Sequence, residues 1–246
     1  MRSSVRVLLA AALLSVVIAA PSLALEKQSR PFTGDNRADH WRAASSCDIV
    51  YYNFCTGWVW IWSGWGPGDR LGVSFNSCCG NGNNTTAVGT TFVYFGTGAP
   101  AGYGFTGTMD VFDADANQCP TGASIASLPF LPVGGQWNTP DFGFATVPDS
   151  TFAVVITMGP SASNPSAIES DHPAAGPTGG IACGTCYSNT RVNHSFYWGT
   201  NAAPLCPGSS FNDGVCDAQL IMDAGVRCTL VSIEPTTWGA VKNLYR

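Results

Sequence analysis

Residues 57–75 read GWVWIWSGWGPGDRLGVSF. Trp58, Trp60 and Trp62 alternate with Val59 and Ile61. Period-two alternation of aromatic and β-branched residues is the pattern of a β-strand. Gly64, Gly66, Pro67 and Gly68 then force a turn, and residues 71–75 have the pattern of a returning strand. The stretch predicts a hairpin at the centre of an all-β domain.

The flanking sequence repeats this grammar. Residues 48–53, 88–95 and 105–112 alternate, residues 124–131 and 141–147 do so more weakly, and residues 191–199 and 218–228 supply the last two strands. Residues 151–158, TFAVVITM, are apolar throughout, which predicts a central strand buried on both faces. Residues 159–181 are rich in Pro, Gly, Ala and Ser, with a short strand expected at 167–170. Short strands with turn signals between them, and almost no helical period, predict an antiparallel, jelly-roll-like β-sandwich spanning residues 47–230. Residues 231–246 change character: Thr236 or Thr237 caps a short helix whose Trp238, Val241 and Tyr245 share one face.

The ends set the compartment. Arg2 and Arg6 precede an unbroken run of apolar and small residues from 7 to 20, and Ser22 and Ala24 suit the −3 and −1 positions of signal cleavage. That run is shorter than the ~20 residues a spanning helix needs. Residues 1–24 therefore read as a secretory signal, with no membrane insertion after cleavage, and residues 25–46 as an extended, aperiodic arm. Ten cysteines behind a signal peptide, at 47, 55, 78, 79, 119, 183, 186, 206, 216 and 228, read as a disulfide framework in an oxidising compartment. Loss of Arg2 and Arg6 takes the formal charge from −5 to about −7, and no Lys or Arg stands between Arg70 and Arg191. Nucleic acid and anionic membrane surfaces need clustered cations and are excluded as partners.

The tail, IEPTTWGAVKNLYR at residues 233–246, resembles the closing segment of a group of uncharacterised secreted bacterial proteins that end in TWG-x-(I/V)-K-x-LYR after a Cys-rich β domain. The strand pattern also resembles jelly-roll domains of the pre-peptidase C-terminal kind. The resemblance implies an exported β-sandwich and transfers no catalytic residue.

Four constellations invite chemistry. Trp58, Trp60 and Trp62, with Trp65 nearby, could form a platform for sugar rings; the competing reading is core packing. Asp113, Asp115 and Asn117 begin like a calcium loop, but Gln118 stands where Gly is required and Ser124 where the bidentate Glu belongs, so a polar hairpin turn is the competing reading. Asp213 and Asp217 are weaker candidates still. Cys183 and Cys186 have redox spacing but no helix start to stabilise a thiolate, and zinc would need ligands beyond nearby His194. His40, His172 and His194 have no G-x-S-x-G nucleophile to serve, and Asp171-His172 falls in the Pro/Gly-rich loop without a visible partner. A glycosidase needs a carboxylate pair, yet Glu occurs only at 26, 169 and 234. No cofactor is expected. The expectation is an exported, non-catalytic β-sandwich that binds an extracellular ligand, with carbohydrate as the candidate. The alternative is a structural or assembly subunit of the cell exterior, and a secreted hydrolase ranks third.

Overall fold

The computed structural model describes residues 26–32, 47–79, 84–94, 107–133, 135–148, 150–159, 166–172, 192–200 and 218–230. The expected signal segment at 1–24 and the expected C-terminal helix lie outside these residues. Every described element is a strand: β1 Glu26–Pro31, β2 Cys47–Val50, β3 Trp58–Trp65, β4 Arg70–Asn76, β5 Asn84–Tyr94, β6 Gly107–Ala114, β7 Pro120–Phe130, β8 Trp137–Asn138, β9 Asp141–Val147, β10 Thr151–Met158, β11 Ser166–Asp171, β12 Ser195–Trp198 and β13 Met222–Leu230.

The strands form three antiparallel sheets. Sheet I has the order β1-β3-β11, sheet II β12-β4-β10-β6-β7, and sheet III β2-β13-β5-β8, with β9 also paired to β5. Sheet I is joined to sheet III through the segment before β13, where Leu220 bridges Ser170 and the Ile221 N–H donates to the Glu169 carbonyl (3.0 Å). One apolar cluster gathers Trp60, Trp62 and Ile168 from sheet I, Leu71, Val73, Met109, Val154 and Ile156 from sheet II, and Val88, Ala224 and Val226 from sheet III. The molecule is thus a β-sandwich, with sheet II facing sheets I and III. β10 is the central strand its composition predicts. It pairs with β4 on one side and β6 on the other. Its inner residues join the main core, while Ala153 and Val155 on the outer face pack with Phe196 and Trp198. At Gly72, opposite Val155, a Cβ would run into the Val154 carbonyl and stand 2.9 Å from the Phe196 ring. Only glycine lets these strands close.

The expected Trp hairpin does not form. β3 pairs with β1 and β11, whereas β4 pairs with β10 and β12. The Gly/Pro turn at 66–69 carries the chain from one layer to the other. Asp69 fixes it, accepting the Gly66 N–H at 2.6 Å through Oδ2 and the Thr200 N–H at 3.3 Å through Oδ1. A turn signal specifies a reversal, and both a hairpin and a sheet-to-sheet crossing satisfy it. Two further expectations change. Part of the arm, Glu26–Pro31, is a strand in register with β3 from Glu26↔Ser63 to Pro31↔Trp58. Backbone groups supply an edge strand's bonds, so the segment needs no apolar period. Asp171 lies in β11 and not in a loop, paired with Val59.

Two disulfides staple the turn after β4. Cys47–Cys78 links it to β2 and Cys79–Cys228 links it to β13, across sequence separations of 31 and 149 residues. Loops of that size give about 3–5 kcal/mol each in the chain-entropy account. Cys55 is also disulfide-bonded. Cys119 is a free thiol, which corrects the expectation that all ten cysteines are oxidised. Cys183, Cys186, Cys206 and Cys216 lie outside the described residues.

Candidate functional site

The tryptophan ladder is core. Trp60, Trp62 and Trp65 are each only 7% exposed, and Trp58 is half-buried. Trp62 Nε1–H donates to Ser170 Oγ on β11 (2.8 Å), and Trp65 Nε1–H donates to the Trp62 carbonyl (3.1 Å). The two-residue offset of Trp60 and Trp62 puts them on one face. Trp65 joins them because the β3–β11 register shifts between Ser166 and Ile168, with Gly64 at φ 92° opposite the shift. Val59, on the reverse face, is fully buried as well. A sugar platform needs exposed ring faces, so the platform reading of this strand is corrected: β3 is central to its sheet and buried on both sides.

Of the polar residues weighed for catalysis, Glu169, Asp171, His172 and His194 are buried, and His40 lies outside the described residues. Glu169, Ser170, Asp171, His172 and Asp223 are fully buried, and Ser195 and Gln219 are nearly so. Asp171 Oδ1 accepts the Gln219 N–H (2.8 Å) and Oδ2 accepts the Asn53 N–H (2.9 Å). Its own N–H donates to the Gln219 carbonyl (2.9 Å). Ser195 Oγ–H donates to Gln219 Oε1 (2.8 Å) and accepts the Leu220 N–H (2.9 Å). The histidines serve as flat rings: His172 stacks on Trp60 (centroids 4.1 Å apart) and His194 on Tyr51 (3.6 Å). Burial pushes the Tyr51 phenol up, and the Asn76 N–H that its oxygen accepts pulls it partway back. The network ties three backbone segments together and presents no carboxylate to solvent.

The suspected calcium loop is a hairpin turn between β6 and β7. Asp115 Oδ1 accepts the N–H groups of Asn117 (2.8 Å) and Cys119 (2.9 Å), and Gln118 takes φ 65° to close the turn. Asp113 Oδ1 accepts the N–H of Ala114 (3.1 Å), and Asn117 is exposed. The oxygens that resemble cation ligands cap the turn's own amides. Burial, then the charge of Asp115, pushes the Cys119 thiol up. A protonated thiol is a poor nucleophile, which suits its survival unpaired.

A different aromatic group reaches the surface. On the reverse side of β3, Phe32 stacks on Phe54 (3.9 Å, 9° between planes), Phe54 meets Tyr52 (5.2 Å), and Tyr52 meets Trp137 (6.0 Å). Phe32, Phe54 and Trp137 are half-exposed around buried Tyr52. Tyr52 OH donates to Asp223 Oδ2 (2.9 Å), which fixes the middle ring. A turn places Phe54: the Gly57 N–H donates to the Phe54 carbonyl (2.8 Å), with Gly57 at φ 70°, and the Phe32 N–H donates to the Gly57 carbonyl (2.9 Å). Trp137 sits beside a loop locked by Asn138, whose Oδ1 accepts the Val133 N–H (2.7 Å) and whose Nδ2 donates to the carbonyls of Val133 and Gln136 (both 3.1 Å). Exposed Gln136 and Thr139 flank Trp137 in the chain. Sequence reading missed this row because its rings come from the arm, from residues 52–54 and from the two-residue strand β8. The alternation of Tyr52 and Phe54 was its one legible signal.

No family model matches the chain, and no curated protein matches it. Among solved structures it is similar to the cysteine protease and lectin-like domains of Cwp84, a surface layer associated protein of Clostridium difficile. That alignment covers 76% of this chain and 37% of the other, at 8% identity and a TM-score of 0.47. The chain thus spans little more than a third of that structure, and a likeness this slight carries no residue or activity across.

Proposed function

We propose that the protein is an exported, non-catalytic β-sandwich that binds an extracellular ligand, with carbohydrate as the ligand class, through the row Phe32–Phe54–Tyr52–Trp137. The observation that carries this reading is a contiguous set of four rings, three half-exposed, each held by backbone turns or a clamped loop. Rings fixed in this way offer apolar faces at low entropic cost, with polar groups at their edges. The long stretch without Lys or Arg argues against anionic ligands. Burial of Glu169, Asp171, His172 and Asp223 argues against hydrolysis, which needs such groups in reach of substrate. The two stapling disulfides suit export. They equally favour the second reading, a structural subunit of the cell exterior, which needs no ligand.

A glycan array probed with Trp137→Ala and Phe54→Ala separates the two. Ligand binding predicts that both variants lose the glycan signal while losing less than about 2 kcal/mol of stability, as expected for half-buried rings. Trp60→Ala, by contrast, is expected to cost about 3–5 kcal/mol as a core deletion. A protein that binds no glycan, or whose binding survives both changes, leaves the structural reading.

A further inference from the structure

Three of the five large apolar side chains exposed among the described residues stand close together in the chain: Ile125 (37% exposed), Leu131 (67%) and Val133 (53%). They belong to β7 and the segment after it, and β7 is an edge strand of sheet II, paired with β6. Ala126, Leu128 and Phe130 turn inward onto the main core and Pro132 is buried, while Ser127, Pro129, Leu131 and Val133 face out. From 129 to 133 the outward side is therefore apolar, where an edge strand usually carries polar or charged groups. Residues 116–140 hold no charged side chain at all. The same face of sheet II is covered further in: Val155, in register with Asp110 and through it with Ser127, is fully buried. Pro129 and Pro132 offer no N–H to an added strand. An occupant of this stripe thus meets side chains on the face and not a ladder along the edge.

We propose that the C-terminal tail, residues 235–246, docks on this stripe as the amphipathic helix its sequence predicts, with Trp238, Val241 and Tyr245 against Ile125, Pro129 and Leu131. The tail starts at the right end of the sandwich. β13 ends at Leu230, which pairs with Asn84, and close by Thr86 pairs with Val147 at the end of β9. β10 follows β9, and Phe152↔Asp113 and Asp113↔Thr121 place the start of β7 at that same end. From β13 the route crosses β5 and β9 to β7, which lies beside β9. At ~4.8 Å per strand and a wider step at the corner, that is roughly 15–18 Å. Residues 231–235, extended, reach roughly 17 Å. A helix over 236–246 is about 16 Å long. The stripe from Ile125 to Leu131 is about 20 Å long, so the two match. Charge agrees as well. Asp110 and Asp113 of β6 stand opposite Ser127 and Thr121, and no Lys or Arg occurs between Arg70 and Arg191. The helix carries Lys242 and Arg246 beside its apolar face. Docking would cover the stripe and tie the end of sheet III to the edge of sheet II. It does not depend on the ligand reading.

The test uses the full chain carrying the photo-crosslinking residue benzoylphenylalanine in place of Trp238. Irradiation should give a crosslink within one chain, mapped by peptide mass spectrometry to residues 120–133. A crosslink to another part of the chain, or none, overturns the proposal. A crosslink between two chains also overturns it and assigns the stripe to a second copy. Trypsin gives an independent reading without the analogue. Docking shields Lys242, so release of residues 243–246 should be slow from the unmutated chain. Leu131→Ser/Val133→Ser should speed that release at least about tenfold, as for the loss of one buried aliphatic side chain. Both side chains are more exposed than buried, so the sandwich itself tolerates the change. Val192→Ser, at a residue 60% exposed outside the stripe, should leave the rate unchanged. Equal release from the unmutated chain and the double variant overturns the proposal.

Discussion

Replacing Asp171 with alanine removes the acceptors of two amides, the buried one of Gln219 and the half-buried one of Asn53, at the point where β11, the segment after β2 and the approach to β13 meet. Hydrogen bonds to a charged group contribute about 1.5–3 kcal/mol each, and an orphaned buried donor costs about 1–3 kcal/mol. These are two views of the same loss, so two such bonds give about 3–5 kcal/mol for the substitution, towards the lower end if water fills the vacated space. For a domain of this size each kcal/mol moves the melting temperature by about 2–4 °C, so a fall of about 6–20 °C is expected. Asp171→Asn keeps one carbonyl acceptor but turns an NH2 towards the other amide, and about 2–4 kcal/mol is expected. Urea denaturation followed by tryptophan fluorescence reads both values from the midpoint and slope. An Asp171→Ala protein within about 1 kcal/mol of wild type, at unchanged slope, refutes the reasoning. It would mean that the two amides find other acceptors once the carboxylate is gone.

Three further outcomes follow from ionisable groups. With ten cysteines and Cys119 reduced, an odd number remains for pairing, so thiol titration of the denatured, unreduced monomer should find at least two thiols; finding none removes the free Cys119. Asp115→Asn keeps an oxygen to cap the turn but removes the charge that disfavours the thiolate, so iodoacetamide should alkylate Cys119 faster at neutral pH, and an unchanged rate would leave burial as the whole cause. The folded-state pKa of Tyr51 is raised, so the fold holds its proton above the ordinary value of about 10, where the unfolded chain releases it. Stability from this group is therefore present below about pH 10 and lost as pH rises above it. Tyr51→Phe should flatten the fall in urea midpoint between about pH 9 and 11, and parallel curves for the two proteins would contradict the assignment.

Local pattern made most of the strands legible. Alternation at 58–62 and 88–95, and the apolar run at 151–158, mark β3, β5 and β10, because a side chain's face depends only on its parity along the strand. The same composition announced a disulfide-bearing β-sandwich, and the Asp/Asn turn at 113–117 was readable as a cap, since its bonds run to near neighbours. Pairing was not legible. The turn at 66–69 looks identical whether it closes a hairpin or crosses to the opposite sheet, and the arm strand Glu26–Pro31 is bound through backbone groups that every sequence possesses. The candidate site moved for the same reason. Parity shows that Trp58, Trp60 and Trp62 share a face, but only the opposing sheet determines that this face is covered. Phe32, Tyr52, Phe54 and Trp137 have no common period, and they become neighbours through contacts up to 85 residues apart in sequence. Asp171 likewise meets Asn53 across 118 residues and Gln219 across 48. Side-chain parity is a local property and can be read from the chain, whereas which faces meet, which are sealed and which remain open to a ligand depends on long-range pairing that only the tertiary structure decides.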